Sequence, residues 1–198
     1  MPDQSFAALG VSAEVAGRLA ARDIVMPFPV QTLVLPEALA GRDVLAKSPT
    51  GSGKTIAFAV PIVERLDAAE ARPAALVLVP TRELALQVSE ELEALAPARG
   101  LSIATVYGGV PLRPQSKRAQ SAHVLVATPG RLFDLMERRL VSLDAVRILI
   151  LDEADRMLDM GFKPQVDRIV RRLPQSRQTM FFSATLDGEV EKNIVWRD

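Results

Sequence analysis

Short apolar runs recur along this chain, separated by stretches in which apolar positions return every three or four residues. The runs at 75–79, 124–127 and 148–151 are apolar at every position. That pattern predicts strands covered on both faces, as in a parallel sheet, because strict alternation would mark a strand with one wet face. Strands are expected over 43–46, 75–79, 102–106, 124–127, 147–151 and 179–182. Helical periodicity spans 13–21 and 31–39, with the stiff turn Pro27-Phe28-Pro29 between them. Further helices are expected to begin near Gly53, Arg82, Arg113, Gly130, Pro164 and Gly188. Strand–helix alternation predicts an α/β fold, a mostly parallel central sheet flanked by helices on both faces. Ligands of such sheets bind beyond the carboxyl ends of the strands.

Two segments place chemistry at those ends. The first is Ser48-Pro-Thr-Gly-Ser-Gly-Lys-Thr55, between a strand and a helix. Gly51 and Gly53 let the backbone turn tightly and approach an anion, and the helix start offers unpaired N–H groups to phosphate. Lys54 suits the β- and γ-phosphates, and the Thr55 hydroxyl suits Mg²⁺. Thr50 and Ser52 complete the loop. The second segment, Asp152-Glu-Ala-Asp155, follows the apolar run 148–151. Asp152 is expected to face the Mg²⁺ shell, partly through water, and Glu153 to orient and deprotonate an attacking water. Lys54, Asp152 and Glu153 are the catalytic candidates. Taken alone, the acidic segment could also be a solvated loop.

Composition narrows the setting. The chain has 198 residues, enough for one domain with a substantial core. It has no cysteine, which excludes disulfides and thiolate metal sites. Lys plus Arg equals Asp plus Glu, 24 of each, which weighs against a wholly basic nucleic-acid coat and leaves room for a local basic track. No apolar run is long enough to span a membrane and the N-terminus does not read as a signal peptide, so a cytoplasmic location is expected. His123, the only histidine, reads as structural.

These segments resemble the DEAD-box family of ATP-dependent RNA helicases. Pro80-Thr-Arg-Glu-Leu-Ala85, Gly108-Gly109, Thr128-Pro-Gly-Arg131 and Ser183-Ala-Thr185 follow in that family's order, and Asp-Glu-Ala-Asp stands unaltered at 152–155. The resemblance implies a RecA-like P-loop domain over 1–198 that takes ATP and Mg²⁺. It also implies an adenine-reading segment over 1–31, in which Gln31 pairs with the base and Phe6 stacks on it. Ordinary core packing is the competing reading of Phe6. Phe28, Asp23 and Ser48 depart from the family pattern. RNA contacts to the sugar-phosphate backbone are implied for Thr81, Arg82, Gly108, Gly109, Thr128, Gly130 and Arg131. Helix caps with salt-bridged arginines are their plainer alternative. Asp155, Ser183 and Thr185 are implied to couple nucleotide state to strand separation. Family members carry a second, C-terminal RecA-like domain that completes the ATP site, and no such segment occurs in this sequence. The chain is therefore expected to be the N-terminal half of a helicase, binding nucleotide but hydrolysing it poorly. A non-catalytic ATP-gated RNA clamp or scaffold is the alternative. A small-molecule kinase would need a lid and an acceptor pocket, which the sequence does not offer.

Overall fold

The computed structural model describes residues 5–186. Six strands form one sheet in the order β1-β6-β5-β2-β4-β3, every neighbouring pair parallel. They are β1 Val44–Lys47, β2 Ala75–Leu78, β3 Ile103–Val106, β4 Val124–Ala127, β5 Ile148–Leu151 and β6 Gln178–Ser183. The helices are α1 Ala13–Ala20, α2 Pro29–Leu39, α3 Lys54–Arg65, α4 Arg82–Leu95, α5 Leu112–Ser121, α6 Pro129–Glu137, α7 Ala154–Asp159 and α8 Lys163–Val170. A 3-10 turn, Ala96–Arg99, follows α4. The helix expected near Gly188 lies outside the described residues.

The central strands are the ones whose sequences are apolar throughout. Every residue of β2, β4 and β5 is buried. Alternate side chains feed two clusters, because successive residues of a strand point to opposite faces. Val77, Val126 and Ile150 join one face with α1, α2, α3 and α4. Leu76, Leu125 and Leu149 join the other with α5, α6 and α8. The ring of Phe58 in α3 packs on Phe182 of β6, centroids 5.4 Å apart, which seats the helix against the sheet.

Strand order sorts the motifs. The phosphate loop follows β1, Asp152 follows β5, and β6 lies between these strands, so Ser183 and Thr185 emerge between the loop and the acidic segment. The loops after β2, β4 and β3 occupy the other half of the same carboxyl edge. The motifs thus fall into two groups along one sheet edge, separated by strand order rather than by distance in sequence.

Candidate functional site

The phosphate loop turns on two left-handed glycines, Gly51 at φ 79° and Gly53 at φ 82°. No side chain caps α3, so the amides of its first turn remain free for an anion. Gly53 is required for a second reason. A Cβ built there would lie 2.5 Å from Phe28 Cδ2 and 2.7 Å from Gln31 Nε2. The N-terminal segment thus closes over the loop at a point where only hydrogen fits. Ser48 and Ser52 share a hydroxyl–hydroxyl hydrogen bond within the loop. A cleft of about 420 Å³, lined by Phe28, Pro29, Leu33, Pro49 and Gly51, opens beside it.

Gln31 is buried, and both ends of its amide are committed. Its Oε1 accepts from the Phe28 N–H at 2.9 Å, and its Nε2 donates to the Gly53 carbonyl at 2.9 Å. The expected adenine reader is therefore also a strut between the N-terminal segment and the phosphate loop. The amide keeps one further hydrogen and one further oxygen lone pair, so it can meet a base edge with these bonds kept or exchanged. Phe6 is 3% exposed and belongs to the core cluster, the surroundings that its packing alternative describes. A lone aromatic before a helix carries no signal that separates packing from stacking.

Lys54 is 5% exposed and stands between the loop and the acids, with Nζ 3.3 Å from Asp152 Oδ1 and 3.5 Å from Glu153 Oε1. Asp152 is completely buried, and the Lys54 ammonium and the Glu153 backbone N–H are its polar neighbours. Burial pushes its carboxyl up to about 6, and the Lys54 charge pulls the other way without cancelling it. A buried carboxylate with open acceptor positions suits a water-clad Mg²⁺, and Thr55 at the start of α3 suits the same ion. No group of three or more His, Cys, Asp or Glu placed to hold a metal ion occurs among the described residues. Glu153 takes a left-handed backbone, φ 51° and ψ 48°, rare for a side chain with a Cβ. That turn starts α7 and aims the carboxylate back toward Lys54; Arg156 holds its other oxygen at 3.2 Å.

Asp155 accepts from the Thr185 N–H at 3.2 Å and from its hydroxyl at 3.3 Å, while the Ser48 N–H donates to the Ser183 carbonyl at 2.8 Å. The segment after β6 is thus tied to both the acidic segment and the phosphate loop. The Ser183 hydroxyl is buried without a partner. The Ser48–Ser183 link was not foreseen, since a backbone hydrogen bond leaves no side-chain signature.

Along the other half of the edge, Thr81 caps α4 by accepting from the Leu84 N–H at 3.2 Å, and Thr128 is the extended residue before α6. Arg82 is exposed, its guanidinium 4.7 Å from the centroid of the Tyr107 ring. Added Cβ atoms at Gly108, Gly109 and Gly130 would meet nothing within 4 Å, so this surface is open to close approach. Arg131 is partly committed, since it donates to the Val110 carbonyl and to Gln115 Oε1, both at 3.0 Å. It braces the glycine loop as well as facing the edge.

A parallel sheet with a glycine-rich phosphate loop at one strand end and a buried acid at a nearby one defines a RecA-like P-loop nucleotide-binding domain. Residues 28–194 match the DEAD/DEAH box helicase family, and the chain belongs to it. It is 45% identical over 212 residues to DEAD-box ATP-dependent RNA helicase 52A of Oryza sativa subsp. japonica, a match covering 96% of this chain and 35% of that protein. It is 51% identical over 159 residues to the ATP-dependent RNA helicase DbpA of Escherichia coli, covering 79% of this chain and 35% of that protein. The crystal structure of a DEAD box protein from the hyperthermophile Methanococcus jannaschii superposes with a TM-score of 0.92 at 36% identity, over 96% of this chain and 53% of that one. The chain spans about a third of the length of these curated relatives and about half of the solved one. Among the described residues no helix is long and apolar enough to cross a membrane.

Proposed function

We propose that this chain is the ATP-binding module of a cytoplasmic ATP-dependent RNA helicase, which spends ATP hydrolysis on local opening of RNA duplexes. The observation that carries the reading is the position of Lys54, suspended between the phosphate loop and the Asp152–Glu153 pair. A triphosphate entering the loop offers the ammonium a stronger partner than the two carboxylates. Lys54 then moves onto the β- and γ-phosphates while the α3 amides and the loop backbone hold the rest. Mg²⁺ neutralises charge on the phosphate oxygens when bound. Asp152, freed of its ammonium, orients the water shell on that side. Glu153 accepts a proton from a water as that water attacks the γ-phosphorus, and the β–γ bridging bond breaks to give ADP and phosphate. Gln31 selects adenine by offering its amide to the base edge. Thr81, Arg82, Gly108, Gly109, Thr128, Gly130 and Arg131 hold the RNA sugar-phosphate backbone without reading sequence. Asp155, Ser183 and Thr185 pass the state of the phosphate site to that edge. Full turnover and unwinding depend on a second RecA-like domain facing this edge.

The test is a calorimetric titration of the chain with ATP and GTP in the presence of Mg²⁺. ATP should bind at least tenfold tighter, the equivalent of about 1.4 kcal/mol. Lys54→Ala should abolish most of the binding; because it also removes the ammonium that partly offsets buried Asp152, its thermal midpoint should fall, and the titration is run at a temperature where circular dichroism shows the variant folded. Equal affinity for the two nucleotides would overturn the adenine reading, and unaltered binding by Lys54→Ala would overturn the phosphate site.

A further inference from the structure

The far edge of the sheet carries a groove beside the proposed RNA edge; the two share Tyr107, on which Arg82 packs, and Val110 and Gln115, which accept from Arg131. β3 is the last strand in the sheet, paired on one side only. The Ser102 and Val106 carbonyls accept from β4-side amides, Val124 N at 3.2 Å and Thr128 N at 2.9 Å. Bonding directions alternate along a strand, so even-numbered residues face β4 and odd-numbered ones face outward. One outward carbonyl, that of Tyr107, is already capped by Gln115 Nε2 at 3.2 Å. Ile103 and Thr105 keep their outward N–H and C=O groups without a partner among the described residues, leaving two donors and two acceptors.

This edge is recessed. Helix α4 packs on one face of the sheet and α5 on the other, and both overhang β3. Between them lies a groove of about 410 Å³ with Ile103 and Thr105 in its floor. Leu86, 43% exposed, and Glu93 form the α4 wall; Pro114 and Arg118 form the α5 wall. The walls differ in charge. Glu93 has Glu90 one turn before it on the same exposed side, whereas α5 carries Arg113, Lys117 and Arg118 and no acidic residue. Neither Glu93 nor Arg118 is engaged in an ion pair with the described residues.

We propose that the β3 edge is a docking site for an extended peptide segment of a partner protein, added to the sheet as an extra strand. Strand addition satisfies the four open backbone groups, and the walls select side chains. An added strand points alternate side chains to opposite faces, one set toward α4 and the other toward α5. Charge complementarity therefore specifies the occupant: basic side chains at every second position for the acidic α4 wall, acidic ones between them for the basic α5 wall. Small apolar residues fit the middle, against Leu86 and Pro114. RNA matches this groove poorly, because a polyanion lying along it would run past Glu93 and Glu90.

The test is selection of displayed random ten-residue peptides against the intact chain, with hydrogen exchange as the readout of position. Enriched peptides should alternate acidic and basic residues, lack central proline, and slow exchange of the Ile103 and Thr105 amides at least tenfold. Arg118→Glu should weaken a selected peptide at least tenfold, and replacing that peptide's acidic residues by lysine should restore binding. ATP affinity of Arg118→Glu should equal that of the parent chain, which separates lost docking from lost folding. Thr105→Pro is a second variant, because proline removes the outward N–H and is tolerated on an edge strand; it also breaks the hydroxyl bond to buried Ser89 at 2.8 Å, so Thr105→Val, which breaks that bond but keeps the N–H, is its control. The proline variant should lose binding and the valine variant should keep it. The proposal is overturned if selected peptides protect other amides. It is equally overturned if none is enriched, or if single-stranded oligouridine or a second copy of the chain protects Ile103 and Thr105 instead.

Discussion

Asp152→Asn should stabilise the nucleotide-free protein at neutral pH, and the gain should vanish in acid. The native carboxylate is completely buried, and the Lys54 ammonium at 3.3 Å and the Glu153 backbone N–H offset that burial only in part. Burial holds its folded pKa near 6, against 3.8 for an ordinary aspartate, with Lys54 only partly compensating. The folded state therefore keeps this proton when the unfolded chain has already released it. Stability associated with the group is full below pH 3.8, falls as pH rises from there to about 6, and stays lost above it. At about 1.36 kcal/mol per pH unit the loss amounts to about 3 kcal/mol. An amide of the same shape does not titrate and escapes it. Urea denaturation in chelator at pH 7.5 should place Asp152→Asn about 3 kcal/mol above the parent, a rise of about 6–10 °C in midpoint for a domain of this size. At pH 4 the two should nearly coincide. A variant less stable than the parent at pH 7.5, or a gap that does not change with pH, would refute the reasoning. Mg²⁺-dependent ATP binding should fall in the same variant, because the charge that strains the empty site serves the occupied one.

Gly53→Ala should weaken ATP binding at least tenfold in calorimetry, since the new Cβ enters at 2.5 Å from Phe28 with φ at 82°; adding Phe28→Ser should recover part but not all of the loss, because the backbone strain remains. Phe6→Leu should lower the urea-derived stability by about 1 kcal/mol with ATP affinity changed less than twofold, as expected of a core ring rather than a stacking one. His123→Ala should cost about 2–3 kcal/mol in the same denaturation assay. It orphans the Ala68 carbonyl, bonded by Nε2 at 3.1 Å, and the Ser102 N–H, bonded to Nδ1 at 3.0 Å.

Much of the fold is legible in the apolar runs. β4 has the expected bounds, and β2 and β5 each differ from expectation by one residue, because a strand buried on both faces writes an unbroken apolar word. The boundaries that moved are polar ones. β1 starts after Asp43, because that carboxylate instead accepts the Thr179 N–H at 2.7 Å and fixes the start of β6. β6 begins earlier than its apolar run, at Gln178, whose amide is buried by donating to the Ala38 and Arg42 carbonyls at 3.0 and 2.7 Å. α2 begins at Pro29 rather than Gln31, the position where a missing N–H costs nothing. Helix α7 went unforeseen, since its start rests on a left-handed Glu153 that no propensity favours.

The candidate site divides along the same physical line. Residue types that name their chemistry, such as Gly-Lys-Thr after a strand or paired carboxylates at a strand end, are readable because few other duties require them there. Their ligand-free arrangement is not, since it depends on contacts between distant segments. Gln31 meets Gly53, and Lys54 meets Asp152, across loops whose approach is set by strand order. In this structure the groups proposed to hold nucleotide hold one another. Gln31 occupies the loop carbonyl, and Lys54 partly offsets the Asp152 charge. Binding is then an exchange of partners, so the affinity for ATP measures the difference between two sets of contacts. Asp152 marks the limit of that compensation. Its carboxylate is offset only in part, which is why its effect on stability and its effect on binding should have opposite signs.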